Sequence, residues 1–282
     1  MLEVIIENKY GETLNLSSNK NYVLTQVTGI TPPTATINTA TVATKDGSVF
    51  NSSRLENRNI VLYIKPECNI EKSRINIYKY IKVKQPLKMY FKNASRDVYI
   101  SGYVESIDGD LYENPQMLQV SVICPDPYFK SRDVEVIKFS NIVNAFSFPF
   151  AIAEAGVPIS ETSAFTEQNI YNASDEDTGA LFTLTATGDV LNITIYNQTT
   201  GESFKINYAM LNGDQIVINT KRGEKSIKYI SDGVEKNIIN RVDRSSKWFT
   251  LQAGDNIFSY VCDSGAENLT ISVELQLIYE GV

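Results

Sequence analysis

"VICPDPYFKS", residues 122–131, reads as a stop followed by a restart. Apolar residues run up to Cys124, two prolines bracket Asp126, and Tyr128 and Phe129 follow. Pro125 and Pro127 lack the N–H that a sheet ladder needs, and each biases the residue before it toward extended geometry. A strand is therefore expected to stop at Cys124, with Tyr128 and Phe129 placed to pack and fix the exit direction. Charge changes here too. Residues 1–130 hold 15 Lys and Arg against 13 Asp and Glu, a net +2, whereas residues 131–282 hold 11 against 20, a net −9. Together these features predict domains at 1–130 and 131–282, with Pro125, Asp126, Pro127, Tyr128 and Phe129 as an inter-domain hinge.

The chain of 282 residues is long enough for two such domains, and 43% hydrophobic content suffices for two cores. Sixteen tyrosines and twelve phenylalanines, with abundant Ile, Val and Thr, lean toward β-structure. No apolar run approaches the roughly 18 residues of a membrane span, so no membrane insertion is expected. "MLEVIIENKYGE" carries acids where a signal peptide carries bases, so no export signal is expected either. The seven Asn-x-Ser/Thr sequons then read as chance matches in an Asn-rich chain.

Histidine is absent. That excludes Ser-His-Asp and Cys-His catalysis, His-ligated metals and an imidazole pH switch. Cys68, Cys124 and Cys262 are far apart and show no metal-ligand spacing, so they read as small buried hydrophobes. Two carboxylate groups stand out, Asp108/Asp110/Glu113 in "SIDGDLYE" and Asp175/Glu176/Asp177 in "NASDEDTG". Paired acids could serve glycoside hydrolysis, and clustered oxygens could hold calcium. Neither run has EF-hand spacing, and both lie among Gly and Asn as solvated turns do. Trp248 invites a sugar-stacking reading, but its place on a strand before a Gly turn points to core. There is no phosphate loop, dinucleotide fingerprint or nucleophile elbow. No catalytic residue, cofactor or metal site is expected.

In the first half "LEVIIEN" (2–8), "NYVLTQVTG" (21–29), "RNIVLYIKP" (58–66), "LKMYFKN", "DVYISGYVESIDG" and "QMLQVSVIC" read as strands. Between them "GITPPTATINTATVATKDGSVFNSS" (29–53) alternates around Asp46-Gly47 as a long hairpin with little bulk. Such an arm, with Thr36, Thr39, Thr41, Asp46 and Gly47 along it, is poorly built to bury itself and is expected to reach across to something else. "NIEKSRINIYKYI" (69–81) is the one expected helix, with Asn69 as N-cap and Ile70, Ile77 or Tyr78, and Ile81 on one face. Lys82 and Lys84 read as an exposed strand edge kept soluble by lysine.

The second half is more regular. Turn signals at 199–202, 212–214, 222–224, 231–233, 253–256 and 263–265 separate strand-like runs, among them "VLNITIYN", "SFKINYAM", "WFTL" and "LTISVELQLIY". Short strands punctuated this way predict an antiparallel β-sandwich. "FPFAIAEAGVPIS" (148–160) departs from the pattern and reads as a crossover covering the sandwich.

Taken in order, these landmarks resemble the distal tail proteins of long-tailed bacteriophages, the siphovirus-type tail component family. They are the Gly-Ile-x-x-Pro stretch (Gly29–Pro33), the Thr-rich arm with "DGSVF", "RLENRNIVLYI", "VYISGYVESI", "SVICPDPYF", "NQTTGESFKI", "GDQIVINT", "SKWFTLQAGDNIFSY" and the closing "YEGV". The resemblance spans nearly the whole chain. It implies a mainly β protein, with a ring-forming N-terminal domain that has one short helix and a long hairpin arm embracing the neighbouring subunit through Thr36, Thr39, Thr41, Asp46 and Gly47, then a galectin-like antiparallel β-sandwich. It implies a non-enzymatic virion component: a hexameric ring, single or stacked, joining the tail tube protein to the tail-tip hub or tail-associated lysin. Phage DNA would pass through the hole without specific binding, and Lys79, Lys82, Lys84, Lys88 and Lys92 are not expected to line it together. The sandwich would offer a platform to receptor-binding or baseplate proteins. The competing readings are a carbohydrate-binding adhesion module built around Trp248 and a glycosidase using Asp108/Asp110/Glu113.

Overall fold

Most of the alternating runs become strands. The computed structural model describes residues 2–44, 46–110, 112, 114–140, 142–144, 160–162 and 167–282. One unit comprises residues 1–132 and 278–282, and the other residues 133–277. The stretch 148–160 lies outside the described residues apart from Ser160.

In the first unit β1 (Glu3–Asn8), β2 (Thr13–Asn15) and β3 (Tyr22–Thr28) lead into β4 (Ala35–Thr41) and β5 (Ser48–Leu55). They are followed by β6 (Arg58–Pro66), α1 (Ile70–Tyr80), β7 (Pro86–Lys92), β8 (Asp97–Gly109), β9 (Leu118–Cys124) and β10 (Phe129–Ser131). The antiparallel main sheet runs β2-β1-β7-β8-β9-β6-β3, with β10 laid against β8. Strict alternation puts Val4 and Ile6, Ile60, Leu62 and Ile64, Leu87, Met89 and Phe91, and Val120 and Val122 into one core. Each such buried side chain contributes about 1.5–3 kcal/mol.

The helix forms where its pattern predicts, but its faces differ from the expectation. Ser73, Ile77 and the following Ile81 are buried at steps of four, as one helical face requires. Ile70 and Tyr78 stay 40% and 36% exposed. Asn69 occupies the N-cap position with φ 45, and its side chain makes no capping bond. Capping needs β-region geometry for the side chain to reach the first amides, and the left-handed conformation removes it. Lys82 and Lys84 lie in a turn and not on a strand edge. The Gln85 N–H donates to Lys82 O at 3.1 Å, and Lys84 has φ 68.

The second unit contains β11 (Glu135–Ser140), β12 (Ile142–Asn144), β13 (Ser160–Thr162), β14 (Gln168–Asn172), β15 (Leu181–Ala186) and β16 (Val190–Asn197). It continues through β17 (Glu202–Met210), β18 (Gln215–Asn219), β19 (Ser226–Ser231), β20 (Val234–Asn237), β21 (Gly254–Ser264) and β22 (Leu269–Leu275). Sheet β11-β22-β15-β18-β19-β20 faces sheet β14-β21-β16-β17. Rings meet between them, Phe182 on Phe258 at 5.5 Å and Phe139 on Tyr260 at 5.9 Å, so the unit is a β-sandwich. The stretch "WFTL" is not a strand. It is an extended segment that exchanges two backbone bonds between Leu251 and Thr178, at 2.8 and 3.0 Å. Phe249 fills the core from it, while Trp248 is only half-buried, edge-on to Phe204 at 4.9 Å.

The last strand, β23 (Ile278–Tyr279), leaves the sandwich and pairs with β10, Lys130 opposite Ile278 and Phe129 opposite Tyr279. The closing residues thus belong to the first unit, not to a domain spanning 131–282. Residues 125–129 also lie inside the first unit, as the turn from β9 to β10. Cys124 and Phe129 on either side of it are fully buried, with Phe129 edge-on to Phe91 at 5.6 Å. The prolines do end the β9 ladder, but Phe129 re-enters the same sheet, and the chain passes to the second unit after Arg132.

Candidate subunit-contact arm and its root

Among the described residues, strands β4 and β5 pair only with each other. Thr39 stands opposite Phe50 and Thr41 opposite Ser48, with a register shift between Asn38 and Thr39. Thr39, Thr41, Asp46 and Gly47 are exposed, and Gly47 takes φ 86 in open space at the tip. Thr36 is half-buried and donates its hydroxyl to Glu56 near the base. Ile37, Val42, Val49 and Phe50 are 56%, 44%, 46% and 61% exposed. An isolated two-stranded ribbon is marginal in water, and exposed apolar side chains grouped along one surface are typical of interaction sites.

The base of this ribbon is tightly held. The Glu56 N–H donates to Thr34 O at 3.1 Å and closes the hairpin. Gly29 sits at φ 81, and a Cβ there would lie 2.0 Å from Asn59 O, so only glycine lets the chain leave β3 at this point. Arg58, 3% exposed, lies beneath. Its Nε donates to Pro127 O at 2.6 Å, Nη1 to Gly29 O at 2.7 Å and Thr31 O at 2.6 Å, and Nη2 to Glu280 O at 2.6 Å. The guanidinium also lies over the Phe129 ring at 4.6 Å. Burial lowers its pKa from the ordinary arginine value, with Cys124 and Glu280 opposing the shift. Even so, arginine stays protonated in proteins, so the buried charge is satisfied by carbonyl dipoles. Sequence reasoning missed Arg58, although a lone cation opening an apolar strand in "RNIVLYIKP" was a usable signal.

The proline turn therefore contributes a backbone carbonyl from Pro127 and a side chain from Asp126, whose carboxylate pairs with Lys130 at 2.9 Å and accepts from the Tyr128 N–H at 3.3 Å. Pro125 ends the β9 ladder.

The other candidates are occupied locally. Asp108 accepts from the Ser106 hydroxyl at 2.7 Å and Asp110 from the Tyr112 N–H at 2.8 Å, while Glu113 lies outside the described residues. Asp177 accepts from the Ala253 N–H at 3.2 Å. Lys88 lies over Tyr99 at 4.1 Å, and Lys92 pairs with Asp97 at 3.3 Å. In "LQAGDN" the fully buried Asn256 is the organiser. It accepts from the Gln252 N–H at 2.8 Å and donates to Gln252 O at 2.8 Å and Gly254 O at 3.0 Å, which explains that motif as a loop wound around one amide.

Residues 173–275 match the family described as siphovirus-type tail component, C-terminal domain. No curated protein matches the chain. Among solved structures, the Dit (gp 19.1) protein of phage SPP1, described as a paradigm of hub adsorption apparatus in Gram-positive-infecting phages, aligns at a TM-score of 0.69. Identity is 10%, covering 98% of this chain and 99% of that one. A chain of the phage P2 baseplate, in its activated conformation with calcium, aligns at 0.55 with 10% identity over 100% of both chains. A chain of the strontium form aligns at 0.52, with 10% identity and 98% of both chains covered.

Proposed function

We propose that this chain, whose residues 173–275 match the siphovirus-type tail component C-terminal domain on a fold similar end to end to that of a phage Dit protein, is a structural distal tail hub. In this reading copies close into a hexameric ring between the tail tube and the tail tip or baseplate, DNA passes through the hole, and the protein works in the virion tail after assembly in the host cytoplasm. The sandwich offers a platform for receptor-binding or baseplate proteins. The role is architectural, not catalytic.

The observation that carries this reading is the arm. Among the described residues its strands pair only with each other and its apolar side chains are exposed, and its root is held by a buried arginine. A rigid root under an uncovered ribbon suits a segment that completes its packing on a neighbour. Light scattering should give a mass several times that of the chain, with ring profiles in negative stain. Deleting residues 36–48 should leave folded single copies with an unchanged β-type circular dichroism spectrum. A monomeric mass for the intact protein at high concentration would refute the ring.

A further inference from the structure

We infer that Arg58 and the returning segment Ile278–Val282 form a positioning clamp that sets the direction of the arm, so that association of copies depends on residues far from the arm in sequence. The inference rests on the reading of the arm as the contact between copies. The clamp holds the root from two sides. Arg58 joins Gly29 O and Thr31 O at the root to Pro127 O in the β9–β10 turn and Glu280 O in the closing segment. On the other side the Val282 N–H donates to Ile30 O at 3.1 Å, and Arg96 donates to Gly281 O while lying over the Tyr279 ring at 4.3 Å. Gly281 lies flat against the root: a Cβ there would stand 3.3 Å from Pro32 Cδ and 3.4 Å from Ile30 O.

Chemistry couples these segments. A buried guanidinium held by four carbonyl oxygens needs them together, because withdrawing one leaves part of its charge unsatisfied in a low-dielectric site. Geometry then amplifies any slack. Strand β4 has seven residues, so the ribbon reaches about 23 Å, and a tilt of about 10° at the root moves its tip by about 4 Å. That displacement is enough to lift side chains such as Phe50 out of contact with a partner.

Two substitutions probe the clamp from opposite sides. Arg58→Lys keeps the charge but loses the planar fork, and Gly281→Val crowds Pro32 while leaving every donor of Arg58 in place. Sedimentation measures self-association, and hydrogen exchange at the Glu56 amide reports whether the root is closed. Both variants should keep the wild-type circular dichroism spectrum, exchange Glu56 about tenfold faster and associate about tenfold more weakly, one charge-assisted bond being worth roughly that factor. If Arg58→Lys fails to fold, Gly281→Val decides alone. Unchanged exchange in the folded variants overturns the clamp. Faster exchange with unchanged association overturns its positioning role and leaves it a merely structural contact. Should the protein lacking residues 36–48 still form rings, the arm reading itself falls, and the exchange comparison still shows whether the clamp holds the root.

Discussion

Burial dominates the chemistry of Cys124. Its side chain is fully enclosed in the first core, and burial pushes its thiol up to about 12, against a smaller downward pull from the Arg58 guanidinium. Cys262 is pushed the same way, first by burial and then by Asp263 and Glu267. An unfolded Cys124 ionises near 9.0 and the folded one near 12. Between those values the unfolded chain releases a proton that the folded chain keeps. Stability from this group is therefore intact below about pH 9 and falls as pH rises toward 12, by at most about 4 kcal/mol. Urea titrations of the first unit at about pH 8 and pH 10.5 should show a smaller alkaline loss for Cys124→Ala than for wild type. Equal losses would mean that the thiol is not held neutral.

At the scale of elements, the helix shows how local geometry overrides a residue's usual role. Asn69 has an N-cap's position and side chain, yet φ 45 leaves it in the left-handed region with no capping bond. Its value there lies in tolerating that conformation, which costs most L-residues about 1–2 kcal/mol. Asn69→Ala should therefore lower the urea stability of the first unit by about 1 kcal/mol, and Asn69→Gly should leave it level or raised. If Gly is the more damaging, the side chain caps after all. The ribbon of β4 and β5 makes the opposite case, since alternation and a Gly turn were enough to read it. What they could not reveal was its root, because Arg58 draws its partners from residues 27 to 222 positions away.

For the whole molecule, the pairing of β10 with β23 means that residues 133–277 stand where a hairpin loop would otherwise be. The sandwich is an insertion into the first unit. Replacing residues 133–277 by a short Gly-rich turn should therefore leave the first unit folded, with β10 and β23 closed on each other. Residues 1–132 alone lack β23, which pairs with β10, and one carbonyl of Arg58, and should be less stable than this fusion by about 2–4 kcal/mol. Thermal and urea unfolding of the two proteins make the comparison. Equal stability would show that the closing segment contributes nothing to the first core.

By itself the sequence determined the β class, most strands, the helix, the arm and the end of β9 at the prolines. These follow from alternation, turn residues and missing N–H groups, all properties of neighbours along the chain. The absence of histidine likewise excluded whole classes of chemistry before any contact was known. Only tertiary structure decided that Phe129 packs back into the first core and that Ile278–Val282 leave the sandwich for it. Only tertiary structure made Arg58 the root of the arm. The physical reason is that a buried charge is placed by carbonyls brought together from distant segments, and no pattern within any one of them records that meeting.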